Sequence, residues 1–140
     1  MMGNLASARM IHLPTVEDST GNVTIAETGN FLPFQLQRTY FIHGLDETSR
    51  RGYHAHMEHH EIIVAVSGSF QVIVEDGRGQ RRPFKLADPT VGLYLPSMLW
   101  RELSCFTKGA VCLVFCSHAY AESDYIRDYE AFRRFGGGSE

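Results

Sequence analysis

The sequence predicts an all-β sandwich or barrel, and three observations carry that expectation. Most of the chain breaks into short runs rich in β-branched and aromatic residues: VTIAE (23–27), LQRTYFI (36–42), RGYHAH (51–56), IIVAVSGSFQVIVEDG (62–77), RRPFKL (81–86), VGLYLP (91–96) and GAVCLVFC (109–116). Gly, Asp, Asn or Pro separates them. No helical pattern lies between the runs, which argues for a sandwich or barrel over a parallel α/β sheet. A length of 140 residues fits one domain, and 44% hydrophobic with 21% charged residues is the balance of a soluble globular chain.

The clearest local unit is an expected hairpin. It pairs 62–66 with 70–74 through a Ser-Gly-Ser turn and ends at Asp76-Gly77. Only the C-terminus reads as helix. Ser123 is placed to cap DYIRDYEAFRR, residues 124–134, in which Ile126, Tyr129 and Phe132 recur at helical spacing. Residues 1–135 are thus expected as one domain and GGGSE, 136–140, as a flexible tail.

A formal charge of −3 with no basic block excludes nucleic acid and anionic membranes as partners of the chain as a whole. No stretch approaches a membrane span, and the opening MMGNLASARMIHLP lacks the long apolar core of a secretion signal. Cys105, Cys112 and Cys116 are odd in number and embedded in apolar sequence, which reads as buried thiols. A cytoplasmic protein is expected.

Chemistry concentrates in HAHMEHHE, residues 54–61, where four histidines and two glutamates fall within eight positions. On a strand, residues two apart share a face, so His54 and His56 project together. That suits a metal, which would take His54, His56 and Glu61 as a two-histidine, one-carboxylate set. It equally suits proton transfer by a pair of imidazoles. His59 and His60 fall where the chain turns and are expected in solvent.

The spacing HxH-x4-E-x6-G, from His54 through Glu61 to Gly68, is the first signature of the cupin superfamily. The step that usually supplies a further histidine reads GLYLPSMLWRE here, with Arg101 at that position. A guanidinium stays protonated and is no metal ligand. In fuller context RRGYHAH, IIVAVSGSFQVIVEDG, VGLYLPSMLWRE and DYIRDYEAF resemble the sugar-nucleotide 3,4-ketoisomerases of the WxcM-like cupin group, from about Ile11 to Phe135. The resemblance implies a cupin double-stranded β-helix, or jelly-roll barrel, with a short C-terminal helix. It also implies a homodimer with exchanged N-terminal strands and no cofactor. The activity implied is conversion of dTDP-4-dehydro-6-deoxy-D-glucose to a dTDP-3-dehydro-6-deoxyhexose, on the way to dideoxyamino sugars of surface polysaccharides.

Moving a ketone from C-4 to C-3 requires loss of the C-3 proton, an enediol, and protonation at C-4. An imidazole, with a pKa of about 6.5, both takes and gives protons near neutrality. The resemblance assigns His54 to the carbon-bound protons and His56 to the oxygens. Arg38, Arg51 and Arg101 are the expected diphosphate and sugar contacts, Tyr40 shares the face of Arg38, and Trp100 is offered for stacking on the thymine. This chain departs from the family pattern at Met57 and Glu61, where Lys and Gln are common, and at Thr20, where Arg is common. Two rivals follow: a metal-dependent cupin enzyme built on His54, His56 and Glu61, and a non-catalytic sugar-nucleotide binding module.

Overall fold

A computed structural model of the chain describes residues 3–137. The strands run in order β1 (Arg9–His12), β2 (Thr15–Asp18), β3 (Gly21–Thr24), β4 (Arg38–Ile42), β5 (Arg51–His56) and β6 (Glu61–Ser67). They continue with β7 (Phe70–Glu75), β8 (Arg81–Leu86), β9 (Val91–Leu95), β10 (Trp100–Ser104), β11 (Val111–Cys116) and β12 (Tyr125–Ile126), followed by helix α1 (Tyr129–Gly137). Two five-stranded antiparallel sheets face each other, ordered β1-β9-β6-β11-β4 and β12-β5-β10-β7-β8; β2 and β3 form a separate hairpin. The chain passes from sheet to sheet at almost every step from β4 to β12, which is the jelly-roll barrel expected from the sequence.

The same crossing overturns one local expectation. The run 62–77 is not a hairpin, because β6 pairs with β9 and β11 while β7 pairs with β8 and β10 in the opposite sheet. Its Ser-Gly-Ser step is a corner. Gly68 turns it with φ +68°, and a Cβ there would meet Ala110 Cα at 3.0 Å. The true hairpin is the next one, β7 to β8 around Asp76-Gly77.

Between the sheets lies the main core. Ile63, Ala65, Leu93 and Val114 project from one sheet, and Phe70, Val72, Phe84 and Leu103 from the other. The outer face of the first sheet is covered too, by Leu13 and Leu32 packed on Ile62, Val64 and Tyr94. Burial on both faces is why β6 reads as a continuous apolar run rather than an alternating one. A third cluster, Ala55, Met98, Trp100, Ile126 and Phe132, seats α1 on the outside of the second sheet.

The helix starts later than the sequence suggests. Residues 122–124 form a single 3-10 turn, and Tyr125–Ile126 is an edge strand paired to His56 and Ala55. Asp128 then caps α1, accepting the Glu130 N–H at 3.0 Å. Helical spacing of three apolar residues is thus satisfied by a strand followed by a helix. Gly136 and Gly137, expected in the tail, belong to α1. The rest of that expected tail, 138–140, lies outside the described residues. Of the three thiols, Cys112 and Cys116 are buried, which pushes both up to about 12, but Cys105 is exposed in a left-handed turn (φ +58°).

Candidate active site

Inward-pointing residues at one end of the barrel turn polar and enclose a cavity of about 520 Å³. Its wall includes His54 and Gly52 from β5, Glu61 from β6, Arg101 from β10, and Arg38 and Tyr40 from β4. Arg50, Arg51 and Tyr53 also line it, with Tyr125 and Arg127 from the segment after β11.

The histidines are aimed by an irregular strand. Opposite the β10 pair Arg101/Glu102 the register of β5 shifts, and Gly52 (φ +88°) and Tyr53 (φ +59°) both adopt left-handed backbone. This is a β-bulge, the device by which sheets re-aim side chains beside active sites. Gly52 permits the close approach, since a Cβ there would lie 2.9 Å from the Arg101 carbonyl oxygen. After the bulge His54 and His56 do share the inner face, their rings edge-on at 4.9 Å, while Ala55 packs outward under α1.

The two imidazoles are not equivalent. His54 stands in the cavity wall and donates Nδ1–H to the Gly52 carbonyl at 3.1 Å, leaving Nε2 unprotonated. Burial, then the neighbouring Arg101 charge, lowers it to about 4. His56 is fully buried and is not part of that wall. Its Nδ1 lies 3.1 Å from Asp124 Oδ2, and its Nε2 has no hydrogen-bond partner, standing 3.6 Å from Glu61 Oε2. Burial first and Arg101 second lower His56 to about 2. The negative Glu61 raises both imidazoles, as its chemistry requires, but desolvation and Arg101 outweigh it.

Glu61 gathers the site. Arg101, itself 1% exposed, forms a buried ion pair with Oε1 and donates also to the Leu99 carbonyl at 3.3 Å. His59 Nε2 donates to Oε2 at 3.0 Å, and the Tyr40 hydroxyl lies 3.4 Å from the same oxygen. Burial alone would raise the carboxyl; Arg101 and the His59 bond hold it well below the usual range instead. Burial and the Glu61 charge push the Tyr40 phenol up, so it stays a hydroxyl.

His59 and His60 do not lie in solvent as the turn position suggests. His59 is 3% exposed and stacked on His56 at 4.1 Å, and His60 meets the Tyr94 hydroxyl at 2.8 Å. The ligand atoms that converge are therefore those of His56, His59 and Glu61, not His54, His56 and Glu61. This set does not fit a divalent cation: the histidines converge on Glu61 Oε2, and the Arg101 guanidinium paired to Oε1 of the same carboxylate would repel the ion.

Trp100 also differs from expectation. It is 2% exposed under α1, packed on Tyr129 and Phe132 with its indole N–H donated to Glu102 at 3.1 Å, and lies outside the cavity wall. Alternation explains this: Arg101 points inward, so its neighbour points outward. Arg38 and Arg51 do line the cavity, Arg38 over the rings of Tyr40 (5.0 Å) and Tyr120 (5.4 Å). Thr20 sits at the β2–β3 turn, both its N–H and hydroxyl donated to Asp18 at 2.7 Å. Tyr125 and Arg127 in the cavity wall, and Asp124 against His56, are positions at the site that sequence reasoning missed. DYIRDY carries all three, in a stretch whose apolar spacing predicts a helix.

A jelly-roll barrel with buried imidazoles, an ionised carboxylate and a rim of arginines around one cavity defines a class: an enzyme for an anionic small molecule. Comparison with known proteins narrows it. The family described as FdtA: WxcM-like, C-terminal matches residues 6–136, and the chain belongs to that family. It is 33% identical over 127 residues, 91% of each chain, to a TDP-4-oxo-6-deoxy-alpha-D-glucose-3,4-oxoisomerase of Aneurinibacillus thermoaerophilus. Among solved structures it resembles a histidine-to-asparagine variant of the 3,4-ketoisomerase QdtA of Thermoanaerobacterium thermosaccharolyticum, in complex with TDP-4-keto-6-deoxyglucose. The TM-score is 0.92 at 32% identity, covering 97% of this chain and 98% of that one. The WlaRB TDP-quinovose 3,4-ketoisomerase of Campylobacter jejuni matches with a TM-score of 0.88 at 32% identity, covering 93% and 99%.

Proposed function

We propose that this sugar 3,4-ketoisomerase converts a TDP-linked 4-keto-6-deoxyglucose to its 3-keto isomer, with His54 moving the carbon-bound protons. One observation carries the assignment: His54 stands in the cavity wall with its tautomer fixed by Gly52, and at neutral pH its Nε2 is a free base. It takes the C-3 proton, the electron pair becomes the C-3/C-4 double bond of an enediol, and the same imidazolium returns a proton to C-4.

His56, assigned to the oxygens, acts from behind the wall. Its Nε2 faces Glu61, so it reaches the sugar hydroxyls through that carboxylate and Tyr40. Arg38 and Arg51, joined by Arg50 and Arg127, surround the cavity as cations for the diphosphate. Arg101 is different, since its charge is already balanced by Glu61; it fixes the floor under the sugar. The product is a 3-dehydro-6-deoxyhexose, a precursor for dideoxyamino sugars.

The enzyme works as a homodimer with exchanged N-terminal strands. Phe41 (61% exposed), Phe31 (67%), Val16 (57%) and Val23 (60%) leave apolar surface on the β2–β3 hairpin, the loop after it and β4. The hairpin's ladder pairs only β2 with β3, so it is free to lie against a second copy. A biosynthetic role on a nucleotide sugar supports a cytoplasmic enzyme. No helix among the described residues is long and apolar enough to cross a membrane.

Proton NMR in D₂O with TDP-4-keto-6-deoxyglucose, with and without EDTA, tests the reading. Deuterium should appear at C-3 and C-4, unaffected by EDTA and absent in His54→Ala. Exchange that chelation abolishes would instead establish the metal-dependent rival. Saturable binding without exchange would leave the binding module.

A further inference from the structure

The rim of the cavity carries one charge of the wrong sign. Arg38, Arg50, Arg51 and Arg127 offer cations to an anionic substrate, yet Glu122 sets a carboxylate against Arg127. A negative charge at the mouth of an anion site repels what the site takes. Nor does its pair with Arg127 add much to stability, because the two side chains are exposed, Arg127 by 52% and Glu122 by 57%. Neither attraction for the ligand nor stability of the fold accounts for the carboxylate.

Its geometry does. Arg127 donates from Nε to Glu122 Oε2 at 2.7 Å and from Nη2 to Oε1 at 3.0 Å, so the carboxylate grips one edge of the guanidinium. The Tyr120 hydroxyl donates to Oε1 at 2.6 Å and fixes the carboxylate in turn. The gripped guanidinium lies over the Tyr125 ring, its central carbon 4.1 Å from the centroid. Tyr125 is itself held in place. It pairs with His56 across the β12–β5 ladder, and its ring lies 4.9 Å from that of His54 and 4.4 Å from that of His56. Among the described residues Arg127 Nη1 has no acceptor, and Arg127 belongs to the cavity wall.

We propose that Glu122 is a positioning residue, which holds Arg127 flat on Tyr125 with its Nη1 edge free for the substrate's diphosphate. The inference rests on the ketoisomerase reading, in which Arg127 is one of the diphosphate cations. An exposed arginine samples many rotamers, and ordering it at the moment of binding costs affinity. Glu122 orders it beforehand. A guanidinium paired along its Nε–Nη2 edge stays charged and still donates from Nη1, so one arginine serves carboxylate and phosphate together. The hydrogen bonds from Arg127 and Tyr120 lower Glu122 to about 2, so the pair persists at neutral pH. Orientation by Glu122 therefore strengthens diphosphate binding, while its charge alone weakens it.

Calorimetry with TDP and steady-state kinetics with TDP-4-keto-6-deoxyglucose, both on Glu122→Gln, separate the two effects by sign. Gln keeps the size of Glu but loses the charge and one acceptor. Loss of orientation should raise the TDP Kd and the KM about fivefold, with kcat within about twofold and the thermal midpoint unchanged. The rise should persist at high salt, where charge effects are screened. Unchanged affinity overturns the positioning role. So does tighter binding at low salt, which is what removal of a repulsive carboxylate does by itself. Tyr120→Phe keeps the ring and removes the hydroxyl that fixes Glu122, so Kd should rise about twofold. No rise there overturns the role even if Glu122→Gln fails to fold. Added to Arg127→Ala, Glu122→Gln should cause no further loss; losses that multiply mean that Glu122 does not act through Arg127, and overturn it too. Wild-type protein that binds no TDP sinks the ketoisomerase reading and the positioning role with it, whereas wild-type affinity matched by Glu122→Gln sinks the positioning role alone.

Discussion

The two ends of the barrel interior are built on the same strands and differ by one layer of side chains. Along β6 the inward row runs Ala65, Ile63, Glu61; along β10 it runs Leu103, Arg101; along β4 it runs Ile42, Tyr40, Arg38. At the apolar end these residues pack as an ordinary core against Phe70 and Val72. At the polar end the same registers present a carboxylate, a guanidinium and a phenol, joined by His54 and His56 of β5. Burying those groups costs free energy that apolar residues of the same volume would not cost. The sheets supply rigidity, and one layer is given over to chemistry.

The largest effect should come from the layer's reactive member. His54→Asn removes the base while keeping a polar group of similar size, and kcat should fall about 10²–10⁴-fold with the thermal midpoint little changed. A retained kcat would move the carbon chemistry off His54. Leu86→Ala, at the apolar end and outside the cavity wall, should do the reverse. It leaves a cavity in a packed core and should cost about 2–5 kcal/mol of stability, while kcat of the folded protein stays near wild type.

The ion pair sharpens the contrast. Arg101→Met strands Glu61 as a buried unpaired charge, and denaturant melts should show a loss of about 3–5 kcal/mol. Arg101→Met with Glu61→Leu should recover most of it, because two apolar residues extend the lower core into the upper layer. The double variant should be folded and inactive. If it is no more stable than Arg101→Met alone, the polar layer carries a structural role that this comparison denies it.

The pH dependence separates the layers next. As the proposed base His54 would act unprotonated, and it is lowered to about 4, so kcat/KM should hold from pH 7 down to about pH 5 and fall with an apparent pKa near 4. Stability should decline earlier. His54 and His56 both bind a proton less readily folded than unfolded, so the unfolded chain takes up protons as pH falls below 6.5. That contribution is complete above 6.5 and is lost progressively toward the folded values. A melting temperature that stays flat from pH 7 to pH 5 would count against two neutral buried imidazoles.

The sequence made some of this contrast legible. Short β-branched runs and Gly/Pro punctuation announced the barrel, and HxH spacing announced a shared inner face. The hairpin at 62–77 misled because a sheet-crossing corner and a hairpin turn use the same Ser-Gly-Ser chemistry. What distinguishes them is which strands flank β6 and β7, and that is long-range. His59 misled for a related reason. Turn residues are usually solvated, but this turn is covered by Asp124, which accepts the backbone N–H groups of Glu58 and His59 from 65 and more positions away. DYIRDY likewise carried apolar spacing fit for a helix, and only pairing with β5 makes its first half a strand.

The smallest expected effect concerns Trp100, and it tests where the polar layer ends. An aromatic beside Arg101 in sequence is an obvious platform for a thymine, yet alternation sends the indole to the outer face of β10. There its partners are Tyr129 and Phe132 of α1 and the Glu102 carboxylate. Trp100→Phe keeps most of the apolar contact and loses one partly buried hydrogen bond, a change worth about 1 kcal/mol. TDP affinity measured by calorimetry should stay within about twofold of wild type, because nothing removed lines the cavity. A tenfold loss would mean that α1 and the segment holding Tyr125 and Arg127 move as one body with the nucleotide site. The outer cluster would then belong to the functional layer after all.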